Sequence, residues 1–439
     1  MHKIDLTKGE VTKVLINTAI PIMGSSLLQF TYSLVDMFFV GRLGSDAVAS
    51  VGSSSFFIGL GYSINALVVI GTGIKVSHSV GNKDEVKSKE YINSALILNL
   101  IIGVIYSLFL IIFGKNLISF LDLSNIKVER NGYVYLAISS PMLIFAFFNL
   151  LYTRILSSYG NNKTTLKINS IGVIVNIVLD PILIYTVGLG VKGAAIATLV
   201  SNILMFIIYN IKANKILAYR VDIKFSLKKI KEIIKLGFPM SFQRILFTLV
   251  NISLAKIIAL FGSNAIAAQK IAIQIESITF MVIGGLNGAI SSFVGQNFGA
   301  RNYKRIIKGY SSALKIGLLY SFFMTLAFIF IPRYVVSLFI KEESTIIIAC
   351  GYLQIVALSQ LFSTVEMVSN GLFTGIGKPK IPAIISITFT MLRVPMALLF
   401  INKFAVNGVW LSIALSSVLK GCTSYILYIV TVRKEYINA

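Results

Sequence analysis

The sequence predicts an all-α, polytopic membrane protein: twelve transmembrane helices in two six-helix lobes. Three observations predict it, namely the apolar content, the spacing of the apolar runs and an internal repeat. The chain has 439 residues, 56 % hydrophobic and only 13 % charged. About twenty consecutive apolar residues cross a bilayer as a helix. Twelve such stretches can be counted, at 14–40, 48–74, 92–113, 133–157, 168–187, 191–211, 232–260, 265–292, 310–331, 347–374, 382–401 and 407–431.

The repeat appears when the chain is laid over itself so that Pro21 falls on Pro239. At that same offset Gly44-Ser45-x-Ala47-x-Ala49 falls on Gly262-Ser263-x-Ala265-x-Ala267. Gly81 falls on Gly299, and Ser94-Ala95-Leu96 on Ser312-Ala313-Leu314. Each match alone is weak; their common offset is the signal. Six spans per half is an even number, so both halves enter the membrane in the same sense. That is a parallel repeat about an axis along the membrane normal, with a cavity expected between the halves. The expected lobes are residues 1–217 and 218–439, joined by the basic segment 212–235.

Charge sets the expected topology. There are 40 Lys plus Arg against 17 Asp plus Glu, a formal charge of +23. With both termini on one side, the ends and the loops after even-numbered spans carry 25 of those 40, and the opposite loops eight. The excess places both termini in the cytoplasm and the protein in the inner membrane. It faces anionic lipid and argues against a nucleic-acid partner. Cys350 and Cys422 lie in apolar spans, so no disulfide framework is implied. The start, MHKIDLTKGE, is polar and has no apolar signal core, so no cleavage is expected.

Taken in chain order, the spans raise one question repeatedly: why is an acid there? Asp at mid-span costs about 2.5–3.5 kcal/mol on insertion scales, so it persists only facing a bundle interior, water or a counter-charge. Asp36, Asp180, Glu276 and Glu366 are the four acids well inside spans. In the first span Asp36 lies about five residues below the outer end, and in the fifth Asp180 lies about seven below it. Asn176 is one turn from Asp180 on the same face, and Thr198 enters the sixth span to a similar depth. Hard oxygen donors without thiol or imidazole suit Na⁺ or H⁺. Two carboxylates held close resist carrying two negative charges, so one can take up a proton. Pro181 removes a backbone hydrogen bond beside Asp180, and Pro21 does so mid-span in the first helix. The alternative is that these acids only bond to neighbouring helices.

The second half does not copy the first. By the local offsets Asp36 meets Leu254 and Asp180 meets Ala397, so the expected ion site is confined to the first half. The second half instead offers Glu276, Glu366, Arg244 and Arg393 at comparable depths, either as internal charge pairs or with a substrate or proton role. Other chemistries are missing. "GIGKPK" lacks phosphate-loop spacing, there is no HExxH, and His2 and His78 are isolated. Neither an ATP-driven pump nor an enzyme is expected, and no cofactor.

"IPIMGSSLLQFTYSLVDMFFVGRLGSDAVASVG" resembles the first-helix signature of the multidrug and toxic compound extrusion (MATE) family. "NIVLDPILI…GVKGAAIATLVSN", "AIAAQKIAIQIESITFMVIGGLNGAISSFVGQNFGA" and "NGLFTGIGKPKIP" resemble its later segments. The likeness spans essentially the whole chain. It implies two lobes, V-shaped around a central cleft, and export of amphipathic, often cationic compounds against inflow of Na⁺ or H⁺ by alternating access. It carries a cation site onto Asp36, Asn176, Asp180 and Thr198. The second-lobe acids of some members do not carry over: the seventh span reads "FQRILFTLV", and the tenth has Ser363 with Glu366 three residues on. A monomer is expected. The other readings are a lipid-linked saccharide flippase of the same superfamily, and a non-transporting membrane assembly factor or receptor.

Overall fold

The computed structural model describes residues 4–122, 125–220, 222 and 225–437. His2 lies outside them, as do Lys3 and Lys224, two of the 25 basic residues assigned to the cytoplasmic side. The described residues are almost wholly helical. The elements are α1 Val11–Gly41, α2 Ser45–Gly81, α3 Glu85–Ser119, α4 Ile126–Ser158, α5 Asn162–Pro181, α6 Val191–Lys212 and the short α7 Asn214–Leu217. Then follow α8 Leu227–Ala259, α9 Ser263–Gly299, α10 Tyr303–Phe330, α11 Pro332–Ser337, α12 Glu343–Ala357 and α13 Gln360–Gly375. The chain closes with α14 Lys380–Met391, α15 Arg393–Phe404, α16 Val406–Leu427 and α17 Lys434–Ile437.

Among the described residues eleven helices, counting α14–α15 as one, are long and apolar enough to span, and α12–α13, bent by 57°, make twelve when taken as one span. The tenth span, expected as one helix over 347–374, is therefore broken at Leu358–Ser359. Neither Pro nor Gly marks the break. At the break the Ser359 N–H and hydroxyl both donate to the Val356 carbonyl, each at 2.9 Å, a tighter three-residue turn in place of the four-residue helical one.

The repeat is written into the backbone. α2 starts at Ser45 and ends at Gly81, and α9 starts at Ser263 and ends at Gly299, the offset of Pro21 and Pro239 at both ends. Each is preceded by a glycine at positive φ, Gly44 at 105° and Gly262 at 91°. Each is followed by a non-glycine in the left-handed region, Lys83 at 57° and Arg301 at 58°. α6 and α16 start alike too, but with different residues. Gly190 (φ 55°, ψ −131°) caps α6, whereas Ala405 (φ 48°, ψ −136°) caps α16.

Contacts divide the chain into two compact units. The first is built mainly from Gly24–Ser241, the second from Leu6–Met23 with Phe242–Ala439. The division expected at 217/218 falls within α8 instead, and the first half of α1 joins the second unit. Small residues explain both shifts. Any Cβ on Gly237 would overlap the Leu67 carbonyl, and one on Gly71 the Ile233 carbonyl, so the first half of α8 lies flush on α2. The Ser241 hydroxyl donates to the Ser63 carbonyl at 2.6 Å across the same contact. In the second unit Gly285 admits Met23, seating the first half of α1 on α9. A lipid solvent gives helices no hydrophobic reason to associate, so close approach and hydroxyl bonds do the work. Between α2 and α4, Ser50 and Ser54 donate to the Val128 and Gly132 carbonyls at 3.1 and 2.7 Å.

A capping alanine at positive φ stores about 1–3 kcal/mol that glycine would not. Ala405→Gly is expected to raise the thermal unfolding midpoint of the detergent-solubilised protein, and Gly190→Ala to lower it. An unchanged or lower midpoint for Ala405→Gly would refute the strain.

Candidate functional site

In the first unit, the second half of α1 carries Tyr32 and Asp36 one turn apart. α5 carries Asn176 and Asp180 one turn apart, and α6 carries Thr198. Helical periodicity puts each pair on one face. Pro181 then ends the regular helix: with no N–H it cannot continue the ladder, and Ile182–Thr186 widens into a π-turn closed by Val187 N–H to the Ile182 carbonyl at 2.8 Å.

These side chains meet. Asp180 is fully buried, Asn176 is buried and Asp36 is half-buried. The Asn176 amide is satisfied with Nδ2 donating to Asp180 Oδ2 at 2.9 Å and Oδ1 accepting from the Thr198 N–H at 3.2 Å. The reverse orientation would keep only a 3.4 Å contact to Thr198 Oγ1. The Thr198 hydroxyl donates to the Ala194 carbonyl at 3.0 Å, so it accepts from the Tyr32 hydroxyl, also at 3.0 Å. The charges of Asp36 and Asp180 act on each other and on the Tyr32 and Tyr135 hydroxyls. Oδ1 of Asp36 and Oδ1 of Asp180 are both buried without a hydrogen-bond partner. Among the described residues, no Lys or Arg forms an ion pair with either acid. The cluster thus combines two carboxylates, an amide and three hydroxyls, with two buried carboxylate oxygens that no protein donor answers. Oxygen donors with surplus negative charge suit a proton or a hard monovalent cation.

The second unit treats its buried charges differently. Glu276 accepts from Tyr352 Oη at 2.7 Å and from Gln360 Nε2 at 2.8 Å, so both its oxygens are answered. Gln360 reaches it because α13 starts at the bend. Glu366 lies 3.9 Å from Lys420 Nζ on α16, both largely buried. Arg393, the first residue of α15, donates to Ser416 Oγ at 2.6 Å and stacks on Phe247 with 5.7 Å to the ring centre. Its charge acts on Glu366 and Glu276. Arg244, expected at the same level, is exposed and does not join this group. Pro21, the other expected bending position, is buried in the part of α1 that belongs to this unit.

The MatE family model matches residues 21–182 and again 239–399. The chain belongs to the MatE family. The two matches begin at the paired prolines of the repeat, Pro21 and Pro239. The probable multidrug resistance protein NorM of Thermotoga maritima is 25 % identical over 417 residues, covering 92 % of this chain and 89 % of that protein. The probable multidrug resistance protein YoeA of Bacillus subtilis is 29 % identical, covering 89 % and 88 %. The multidrug export protein MepA of Staphylococcus aureus is 25 % identical, covering 92 % and 90 %.

Solved structures agree on the fold. A MATE transporter described as outward-facing matches with TM-score 0.92 at 23 % identity, covering 99 % of this chain and 98 % of that one. A Pyrococcus furiosus transporter of the MOP superfamily, described as having a binding pocket of reverse polarity, matches with the same TM-score, identity and coverage. This MatE protein is a multi-pass membrane protein of a family of multidrug transporters, not enzymes.

Sequence reasoning missed Tyr32, Tyr135, Tyr352, Gln360 and Lys420. Two of them carried a readable signal: Tyr32 is one turn before Asp36, and Lys420 is a cation in the middle of an apolar span. Removing one partner of a buried ion pair costs about 3–5 kcal/mol because the other charge is stranded. Lys420→Met should therefore lower the unfolding midpoint in detergent, and adding Glu366→Gln should restore most of the loss. If the double variant is no more stable than Lys420→Met, the pair is not what neutralises Glu366.

Proposed function

We propose that this MatE protein exports amphipathic, often cationic small molecules by alternating access, driven by inward movement of Na⁺ or H⁺ through the Asp36–Asp180 pocket. The supporting observation is the pair of buried carboxylate oxygens, one on each acid, that no protein donor answers. A cation or proton arriving there completes the coordination that the fold leaves open. Asn176 holds the Asp180 carboxylate from one side, and Thr198 fixes Asn176 and Tyr32, so the arriving cation meets pre-set oxygens. Each monovalent cation or proton that binds neutralises one of the two carboxylate charges in a low-dielectric site. Binding drives transport only if the cation binds one conformation more tightly than the other. An inward positive charge contributes about 2.3 kcal/mol at 100 mV. In this reading both termini are cytoplasmic, the membrane is the inner one, and a monomer is the working unit.

The test is uptake of ethidium, a monovalent amphipathic cation, into inside-out vesicles under an imposed Na⁺ or H⁺ gradient. Asp36→Asn and Asp180→Asn should each insert and fold yet reduce gradient-dependent uptake to background. Normal coupled uptake by either variant overturns the site. Replacing sodium with choline at fixed pH distinguishes the coupling ions: uptake that persists is proton-driven, and uptake that stops is sodium-driven.

A further inference from the structure

At the end of the second unit that carries basic loops lies a cavity of about 580 Å³ between the segment before α1 and the start of α10. Four cations line it, Lys8, Lys304, Arg305 and Lys308, against one acid, Glu10. The walls are fixed. Arg305 donates to the Lys8 and Gly9 carbonyls, each at 2.7 Å, which clamps the segment onto α10. Leu6 is fully buried; its N–H donates to Gln296 Oε1 at 3.2 Å, and its carbonyl accepts from Asn297 Nδ2 at 3.0 Å. Lys304 and Lys308 are not spent on the protein in this way: both are exposed, and among the described residues neither forms an ion pair.

The repeat supplies an internal control. At the equivalent place in the first unit, helix α3 starts with its own anions. Asp84 caps it by accepting from the Lys87 N–H at 2.9 Å, and Glu85 sits in its first turn. One turn on, Glu90 pairs with Lys229 at 3.1 Å. At the corresponding places α10 has Asn302, which makes no capping bond, then Tyr303 with no acid in the first turn, and Lys308 where Glu90 stood. The first unit answers its helix start and its lysine with carboxylates of its own. In the second an amide, a tyrosine and a lysine stand at those three places, and the amide and the lysine line the cavity. Glu10, the one acid on the rim, sits at the start of α1, where that helix's dipole favours it.

We infer that this cavity binds a phosphate-bearing anion, with Lys8, Lys304 and Lys308 as its charged contacts and the start of α10 behind them. Basic pockets at the cytoplasmic ends of spans recognise lipid headgroups by this chemistry. The same chemistry would take a free phosphate. The site is separate from the Asp36–Asp180 pocket and does not depend on how that pocket works.

The experiment uses the purified full chain in nanodiscs. Thermal stability and bound lipid by native mass spectrometry are compared in phosphatidylcholine alone, with added phosphatidylglycerol, and in phosphatidylcholine with millimolar inorganic phosphate. The wild type should gain stability and retain one phosphatidylglycerol at saturation. Lys304→Gln with Lys308→Gln should weaken that binding at least fivefold. Lys83→Gln with Lys87→Gln, the same charge change on the first unit, should not. Stabilisation by inorganic phosphate alone assigns the site to free phosphate; stabilisation only by phosphatidylglycerol assigns it to lipid. Equal loss in both variant pairs, or no preference of the wild type for either anion, overturns the inference.

Discussion

A carboxylate at bilayer depth has to be neutralised by something, and each half of this protein meets that constraint by a different route. In the second unit the neutralising groups belong to the chain. Lys420 and Arg393 lie among Glu366 and Glu276, and Tyr352 and Gln360 supply neutral donors. The charges there sum to zero. In the first unit Asp36 and Asp180 have hydroxyls and an amide around them but no cation of the chain among the described residues. One half is therefore electrically closed and the other open. The open half is where the proposed coupling ion would act, because two of its buried carboxylate oxygens have no protein donor.

This asymmetry sits on a symmetric scaffold. The backbone repeats faithfully enough that Gly44 and Gly262, or Lys83 and Arg301, occupy matching conformations. Duplication fixes where helices start and turn, because those positions depend on φ and on close approach. It does not fix which side chains line the interior, because substitution there leaves the packing intact so long as size and polarity balance. Leu254 in place of Asp36 and Ala397 in place of Asp180 remove the charge and keep the helices. Both are buried, Leu254 at 1 % and Ala397 at 0 % exposure, so the second unit fills with apolar packing what the first keeps polar.

How much was legible follows the same division. Span count and repeat offset were readable because apolar length and glycine spacing are local properties. The meeting of Asp36, Asn176, Asp180 and Thr198 at one level was readable as an expectation because depth along a helix is arithmetic. Three things were not. The bend at Leu358–Ser359 has no Pro or Gly to announce it, and the serine hydroxyl bond found there also occurs inside the unbroken α16, at Ser412 and Ser416. The allocation of the first half of α1 to the second unit depends on which helix Gly285 admits, a tertiary fact. The pairing of Lys420 was hidden, although its mid-span position is readable, because its partner, Glu366, is on another helix, distant in sequence and 3.9 Å away in space.

In the proposed exchange, two acids rather than one carry an energetic consequence. One cation moving inward releases about 2.3 kcal/mol at 100 mV, and about 1.4 kcal/mol more for each tenfold concentration gradient. A monovalent cationic substrate moving outward returns the electrical part. A one-for-one exchange is then electrically silent and runs on the concentration gradient alone, which near neutral, low-gradient conditions is little. Swinging a two-state equilibrium from 1:99 to 99:1 takes about 5.5 kcal/mol of differential binding. A second carboxylate lets the pocket accept a second charge, so one net positive charge moves inward per cycle and the membrane potential becomes usable. A neutral substrate would need only one. In the proposed exchange, the second acid, on a different helix, is what would let the site carry that second charge.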